Sequence, residues 1–272
     1  MIENINLDDQ KLVTPIYRIM EYERFIHMLR TKRNCLSSPS LWDDPFENLL
    51  RYVALDESWP VKISYFGSFL YAQCWSFSQE NDLLWRVYSP NGTGVRIKST
   101  PIKIINSIKE SQSIRRLDYR WNIPPIPKEC RPFIGEVEYC TIDQIRKYLE
   151  STKEKLDFKH LIKSILIKRE PFYNEQELRV GIYYIKTANQ KKLSTIRKRF
   201  EYQFNLQNLD EAVFDPRIPK ETFDIYKNNL KSLGFKGPIL RSTIYDKPEN
   251  LTRKKVIKKS SLLDPSCGSG SQ

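Results

Sequence analysis

Leu178-Arg179-Val180-Gly181-Ile182-Tyr183-Tyr184-Ile185 is the strongest strand signal in the chain, with Val180, Ile182 and Tyr184 on one face at a period of two. The surrounding segments decide what kind of sheet this strand joins. Upstream, Leu12–Met20 reads as a strand around Pro15, and residues 21–32 carry Tyr22, Phe25, Ile26 and Leu29 at helical spacing. Cys35–Ser38, Phe69–Ser78 and Val95–Lys98 read as strands, and Asp82–Tyr88 as a short helix capped by Asn81. Tyr119–Pro132 is rich in Pro and reads as a surface loop, followed by a strand at Gly135–Cys140 and helices at Ile142–Leu149 and Phe158–Lys168. Downstream, Thr195–Phe204 alternates, Ala212–Phe214 is a short strand, Pro219–Leu233 is a helix ended by Gly234, and Ile239–Tyr245 is a last strand. Strands and helices mix without regular βαβ alternation. The expectation is a single α+β domain over residues 1–250 with a largely antiparallel sheet flanked by helices, and a basic, flexible tail over 251–272.

The 272 residues suffice for a substantial core, and 40% hydrophobic with 12% aromatic content excludes a disordered chain. No apolar run reaches the roughly 20 residues of a membrane span, and Met1-Ile2-Glu3-Asn4 lacks the features of a leader, so a soluble cytoplasmic protein with no membrane partner is expected. Five Cys and two His make neither a disulfide framework nor a zinc site, and no metal ligand set is assigned. The net charge of +12 is uneven. Residues 1–100 hold 11 Lys and Arg against 12 Asp and Glu, and the remaining 34 against 21 fall in 101–272. Such a basic portion suits a polyanion, nucleic acid first. Arg197, Lys198 and Arg199 on the alternating segment, with Lys254 and Lys255 in the tail, are the candidate phosphate contacts.

Five segments in order carry a family resemblance: Tyr17-Arg18; Ser37-Ser38-Pro39 through Trp42-Asp43-Asp44-Pro45-Phe46-Glu47; Trp75-Ser76-Phe77-Ser78; Trp85-Arg86-Val87-Tyr88 with Gly94-Val95-Arg96-Ile97; and Asn174-Glu175-Gln176-Glu177-Leu178-Arg179. Together they resemble the bacterial domain of unknown function numbered 2971, over residues 14–245. Asp43 stands where that family's signature has Asn, and the family name implies no activity. Three of these parts, Tyr17-Arg18, Ser76-Phe77-Ser78 and Glu175-Gln176-Glu177, also resemble the motif order of ADP-ribosyltransferases of the arginine, serine, glutamate type. That resemblance implies a split sheet and NAD as substrate. It assigns NAD contacts to Tyr17, Arg18, Ser76 and Ser78, with Arg18 clamping the pyrophosphate or ribose. Glu177 becomes the catalytic carboxylate, and Glu175, on the same strand face, the residue that orients the acceptor. A carboxylate is the group such chemistry requires, because positive charge develops on the ribose as nicotinamide leaves. On that basis Glu177→Gln should keep the fold and lower turnover.

The expected function is an intracellular ADP-ribosyltransferase-like effector, of toxin or phage-defence type, that cleaves NAD and modifies a nucleic acid or an associated protein, with an antitoxin or defence-system partner. Two alternatives stay open. A metal-dependent nuclease would use Asp43, Asp44 or Glu47, although Asp44 also suits the cap of a turn with Glu47 three residues on. A non-catalytic nucleic-acid-binding module would need only the basic surface. Glu175 and Glu177 also admit a structural role, as the acidic start of a strand with Arg179 as partner. Asp264-Pro265-Ser266-Cys267-Gly268-Ser269-Gly270 resembles a methyltransferase cofactor motif without the helix that should follow it, and reads as a remnant, fusion scar or linker.

Overall fold

The computed structural model describes residues 2–49, 70–113, 126, 129–152, 158–184 and 198–247. The tail at 251–272, with Lys254, Lys255 and the methyltransferase-like string, lies outside the described residues, as does Arg197. In chain order the elements are β1 (Glu3–Asn4), α1 (Asp9–Val13), β2 (Ile16–Met20), α2 (Tyr22–Thr31), β3 (Arg33–Ser37), β4 (Leu70–Ser76), α3 (Asp82–Tyr88) and β5 (Val95–Ser99). They continue with α4 (Pro101–Ser113), β6 (Cys130–Glu136), β7 (Glu138–Cys140), α5 (Ile142–Thr152), α6 (Phe158–Ser164) and β8 (Ile167–Arg169). The last are β9 (Glu177–Tyr184), β10 (Arg199–Gln203), β11 (Glu211–Phe214), α7 (Lys220–Ser232) and β12 (Ile239–Arg241).

The main sheet runs β1-β6-β9-β4-β2-β5-β11-β12, with β3 and β10 branching from β4, while β7 and β8 form a small parallel pair. Apart from β1 on β6 and β11 on β12, neighbours in the main sheet are antiparallel. The fold is therefore α+β with a mostly antiparallel sheet. Between β2 and β4 the ladder is reduced to Tyr17 opposite Ser76, and between β3 and β4 to Ser37 opposite Ala72. The sheet is thus split beside β4, and β4 and β9, paired over seven residues, form its continuous half.

Alternation along β9 builds two cores. Leu178, Val180 and Ile182 face a large cluster with Tyr71 and Trp75 of β4, Phe25 and Leu29 of α2, and Ile104, Ile105 and Ile108 of α4. Tyr183 turns the other way, with Leu70, Ala72 and Phe133, against Leu161 and Ile162 of α6. Gly181 lies between these layers, where an added Cβ would sit on the Tyr71 carbonyl oxygen and the Phe133 ring. Gly181→Ala is accordingly expected to cost about 3 kcal/mol through overpacking, read as a lower urea midpoint. An unchanged midpoint would contradict this packing.

Local signals explain most element ends. Asn81 caps α3 by accepting from the Leu83 N–H at 2.8 Å, and α7 is followed by Gly234 at φ +86°. Several boundaries differ from the sequence reading. Leu12 and Val13 close the helix α1, whose Asp8 cap accepts from the Lys11 N–H, so the strand begins only at Ile16. Cys130–Pro132, read as the end of a loop, opens β6, with Pro132 near the strand start where a missing N–H is tolerated. The helix at 158 stops at Ser164, and residues 167–169 pair with β7 instead. Glu175 belongs to a 3-10 turn spanning Glu170–Glu175 rather than to the strand.

Candidate active site

At the start of β9 the chain buries charge instead of solvating it. Ser76 is registered opposite Glu177, and Cys74 opposite Arg179, so all four side chains share the face that packs against residues 165–169. Arg179, fully buried, grips Glu177 through Nε to Oε1 and Nη2 to Oε2, both at 2.9 Å. It also donates to Glu47 and to the Ile165 carbonyl, and its guanidinium lies 4.3 Å from the Trp42 ring centre. Lys168 of β8 completes the cluster, with Nζ 2.7 Å from Glu175, 3.0 Å from Glu47 and 3.3 Å from Glu177. Glu47 is delivered by the 3-10 turn Pro45–Asn48, which Asp44 caps by accepting from the Phe46 N–H at 3.0 Å. Three carboxylates therefore meet two cations in a nearly dry site.

Electrostatics separate the carboxylates. Burial alone would raise Glu177, but Arg179 and then Lys168 outweigh it and hold the carboxyl near 2. For Glu175, burial prevails over the Lys168 hydrogen bond, and its pKa rises. Burial would lower Lys168, yet Glu177, Glu47 and Glu175 reverse the effect and keep it protonated. Tyr88, 43% exposed at the end of α3, has its phenol pushed up by burial and then by Glu175 and Glu177, which marks it as a neighbour of the cluster. A depressed carboxyl contributes stability that is complete above its unfolded value near 4.5 and is lost as pH falls through about 2. Glu177 should supply on the order of 3 kcal/mol in this way, with Glu175 acting in the opposite sense. Urea unfolding free energies should therefore drop steeply from pH 5 towards pH 2, and a flat profile would contradict the burial of this ion pair.

The positions singled out in the sequence fall into separate groups. Ser76, Ser78, Glu175 and Glu177 come together: Ser76 Oγ donates to the Glu175 carbonyl at 2.5 Å and accepts from the Ser78 N–H at 3.0 Å, tying the end of β4 to the turn before β9. Tyr17 lies on the same face as its partner Ser76, with its ring 5.0 Å from the Arg96 guanidinium. Arg18 does not join them. One residue along β2, it points to the opposite face, where Nη1 donates to Gln73 Oε1 at 2.9 Å and Gln73 in turn donates to Tyr202. The clamp assigned to Arg18 is thus not part of a shared cleft with Glu177. Glu177, the first residue of β9, is also buried rather than solvated, with Arg179 as its partner as read, while Glu175 in the preceding turn is half-buried and pairs with Lys168. Glu177→Gln would leave Arg179 under-compensated, so it is expected to destabilise the fold instead of sparing it.

Asp44 spends one oxygen on its cap and on Arg169 at 3.1 Å, Glu47 is held by Arg179 and Lys168, and Asp43 is exposed. No group of three His, Cys, Asp or Glu placed to hold a metal occurs among the described residues. Lys198 and Arg199 are exposed at the start of β10. Trp75 and Trp85 are core residues. Among the described residues no helix is long and apolar enough to cross a membrane. A cavity of about 650 Å³ opens at the same end of the sheet, walled by Phe77, Tyr139, Tyr173 and Gln176 with residues of α1. Lys168 was the member sequence reasoning missed, and Glu47, read there as a metal ligand or the capping partner of Asp44, instead pairs with Lys168 and Arg179. The alternating acid and base of Glu175-Gln176-Glu177-Leu178-Arg179 hinted at a buried network, but its partners lie 132 residues away at Glu47 and on a strand read as helix.

Residues 84–180 match the family model described as a protein of unknown function, DUF2971. The DUF2971 match runs from α3 into β9 and so includes Tyr88, Lys168, Glu175, Glu177 and Arg179. No curated protein matches the chain. Among solved structures, that of Thermus sp. 2.9 DarT in complex with NAD+ is similar at 8% identity and a TM-score of 0.34, covering 84% of this chain and 95% of that one. A likeness at that level carries no argument about this chain.

Proposed function

We propose that the chain is an NAD-cleaving enzyme of the ADP-ribosyltransferase type, with its reaction centre at Ser76, Glu175 and Glu177. The observation that carries this is the registered Ser76–Glu177 pair, whose serine also holds the Glu175 backbone, so that a Ser-x-Ser strand and a Glu-x-Glu segment meet where β4 ends and β9 begins. Glu177 is held ionised by Arg179 and Lys168, and together with Glu47 and Glu175 it gives the cluster three carboxylates against two cations, an arrangement that can oppose positive charge developing on a ribose. Glu175, with 15% of its side chain exposed, is the more accessible carboxylate and the one placed to take a proton. Arg18 takes no part in this arrangement, and the phosphate contacts are left to other groups. The effector role, of toxin or phage-defence type with an antitoxin partner, belongs to the same proposal and draws support from the +12 charge alone.

The test is incubation of the purified chain with NAD labelled in the adenylate moiety and a cell lysate. Label that becomes covalently attached and is then released by nuclease or by protease supports transfer and sorts the acceptor. No nicotinamide release and no attached label would refute the proposal and favour a binding module. If exposed Lys198 and Arg199 grip phosphates, changing both to Ala should flatten the log–log salt dependence of single-strand binding by about 1.4. An unchanged slope would remove them from the interface.

A further inference from the structure

We infer that the cavity beside α1 is a docking site for an arginine side chain carried by a protein partner. Phe77 lies between Ser76 and Ser78, and Gln176 between Glu175 and Glu177, so alternation turns both of these wall residues away from the proposed reaction centre. A side chain held here is an anchor and not the acceptor, and the inference does not depend on the transferase reading. The walls are tied together before any ligand arrives. The Gln176 N–H donates to the Tyr173 carbonyl at 3.1 Å, the Phe77 N–H to the Gln176 carbonyl at 2.9 Å, and the Glu177 N–H to the Tyr139 hydroxyl at 2.8 Å. The rings of Tyr139 and Tyr173 stand 72° apart with their centres at 5.4 Å, which makes a corner of two aromatic rings, and Phe77 lines the same space. Aromatic faces carry partial negative charge and attract a cation placed over them. Tyr173 is 63% exposed, so its ring is open to a partner.

Charge within the lining points the same way, against the sign of the whole chain. Asp8 and Glu136 face a single cation, Lys11, whose ammonium is paired with Glu136. Asp8 is left over. One of its oxygens caps α1 by accepting from the Lys11 N–H at 2.7 Å, and no cation among the described residues pairs with its carboxylate. In a chain of net charge +12 the cavity is therefore locally negative, which disfavours a phosphate and selects an organic cation. A guanidinium suits these walls better than an ammonium. Its plane stacks on an aromatic ring, and its fork of N–H donors can meet the Asp8 carboxylate together with an amide oxygen of Gln10 or Gln176. At about 650 Å³ the cavity is larger than one side chain and leaves room for the residues on either side of the arginine, so the cation is taken from a peptide segment and not from a small amine.

The experiment titrates the full chain into short labelled peptides of Gly and Ser with arginine, lysine or citrulline at the centre, at low salt and without NAD. Citrulline keeps the shape of arginine and removes its charge. The arginine peptide is expected to bind saturably and at least about tenfold more tightly than the citrulline peptide, with lysine between them and the advantage shrinking as salt rises. Asp8→Asn and Tyr173→Ala should each remove about that factor. Asparagine caps a helix as well as aspartate does, and Tyr173 is largely exposed, so the thermal midpoints of both variants should hold, which separates lost recognition from lost fold. Equal binding of the arginine and citrulline peptides, no saturable binding of either, or wild-type binding by both variants would overturn the inference. So would self-association of the chain that the arginine peptide disperses, since the occupant would then be a second copy. Displacement of the peptide by a single-stranded oligonucleotide that Asp8→Asn binds more tightly would overturn it too, by showing a polyanion in its place. Nicotinamide release enters none of these readings, so this inference and the transferase proposal fall separately.

Discussion

Arg179→Leu is expected to cost about 3–5 kcal/mol, the largest loss of stability for any single change at the site. The guanidinium is completely buried and holds Glu177, Glu47 and the Ile165 carbonyl while lying against Trp42. Without it, two buried carboxylates share Lys168 with Glu175, and the leucine cannot satisfy the carbonyl. At this chain length the loss corresponds to a fall of roughly 6–20 °C in Tm, followed by circular dichroism. Arg179→Lys should recover only part of it, because a point charge cannot repeat the two-pronged contact with Glu177. A fall below about 1 kcal/mol for the leucine variant would mean that the cluster does not act as a unit.

Glu175→Gln is expected to do the reverse, sparing the fold and removing the activity. Because burial raises its pKa in the folded chain, ionised Glu175 costs stability relative to the unfolded state, and a neutral amide of the same shape removes that cost. Lys168 keeps Glu47 and Glu177 as partners. Stability should therefore change by no more than about 1 kcal/mol, whereas nicotinamide release should fall by about two to three orders of magnitude. The wild-type rate should decline as pH drops through the raised Glu175 pKa, and that acid limb should vanish in the variant. Wild-type turnover in Glu175→Gln would remove this carboxylate from the reaction centre.

What the sequence disclosed depended on the range of the signal. The Leu178–Tyr184 alternation, the caps at Asp44 and Asn81 and the glycine after α7 are local patterns, and each appears where its chemistry requires. Helix α4 was equally legible, with Pro101 at its start and Ile104, Ile105 and Ile108 at helical spacing, yet no element was assigned there. Lys168 was misassigned because Leu161, Ile162, Ile165 and Leu166 extend a helical stripe past Ser164, while pairing with β7 overrides that propensity. The face of Arg18 was beyond local reasoning. Whether it or Tyr17 meets Ser76 depends on cross-strand register, and a shift of one residue exchanges the two. Ser76 and Glu177 could be named as partners from motif order, but the cations that define the site come from distant segments.

The most direct measurement of the central claim is nicotinamide release from NAD by the purified full chain in EDTA, comparing wild type with Glu175→Gln at equal folded concentration. The expected result is steady release by the wild type, insensitive to EDTA and reduced about 100-fold or more in the variant. No release by the folded wild type, or release at the same rate from both proteins, would contradict a reaction centre at Ser76, Glu175 and Glu177.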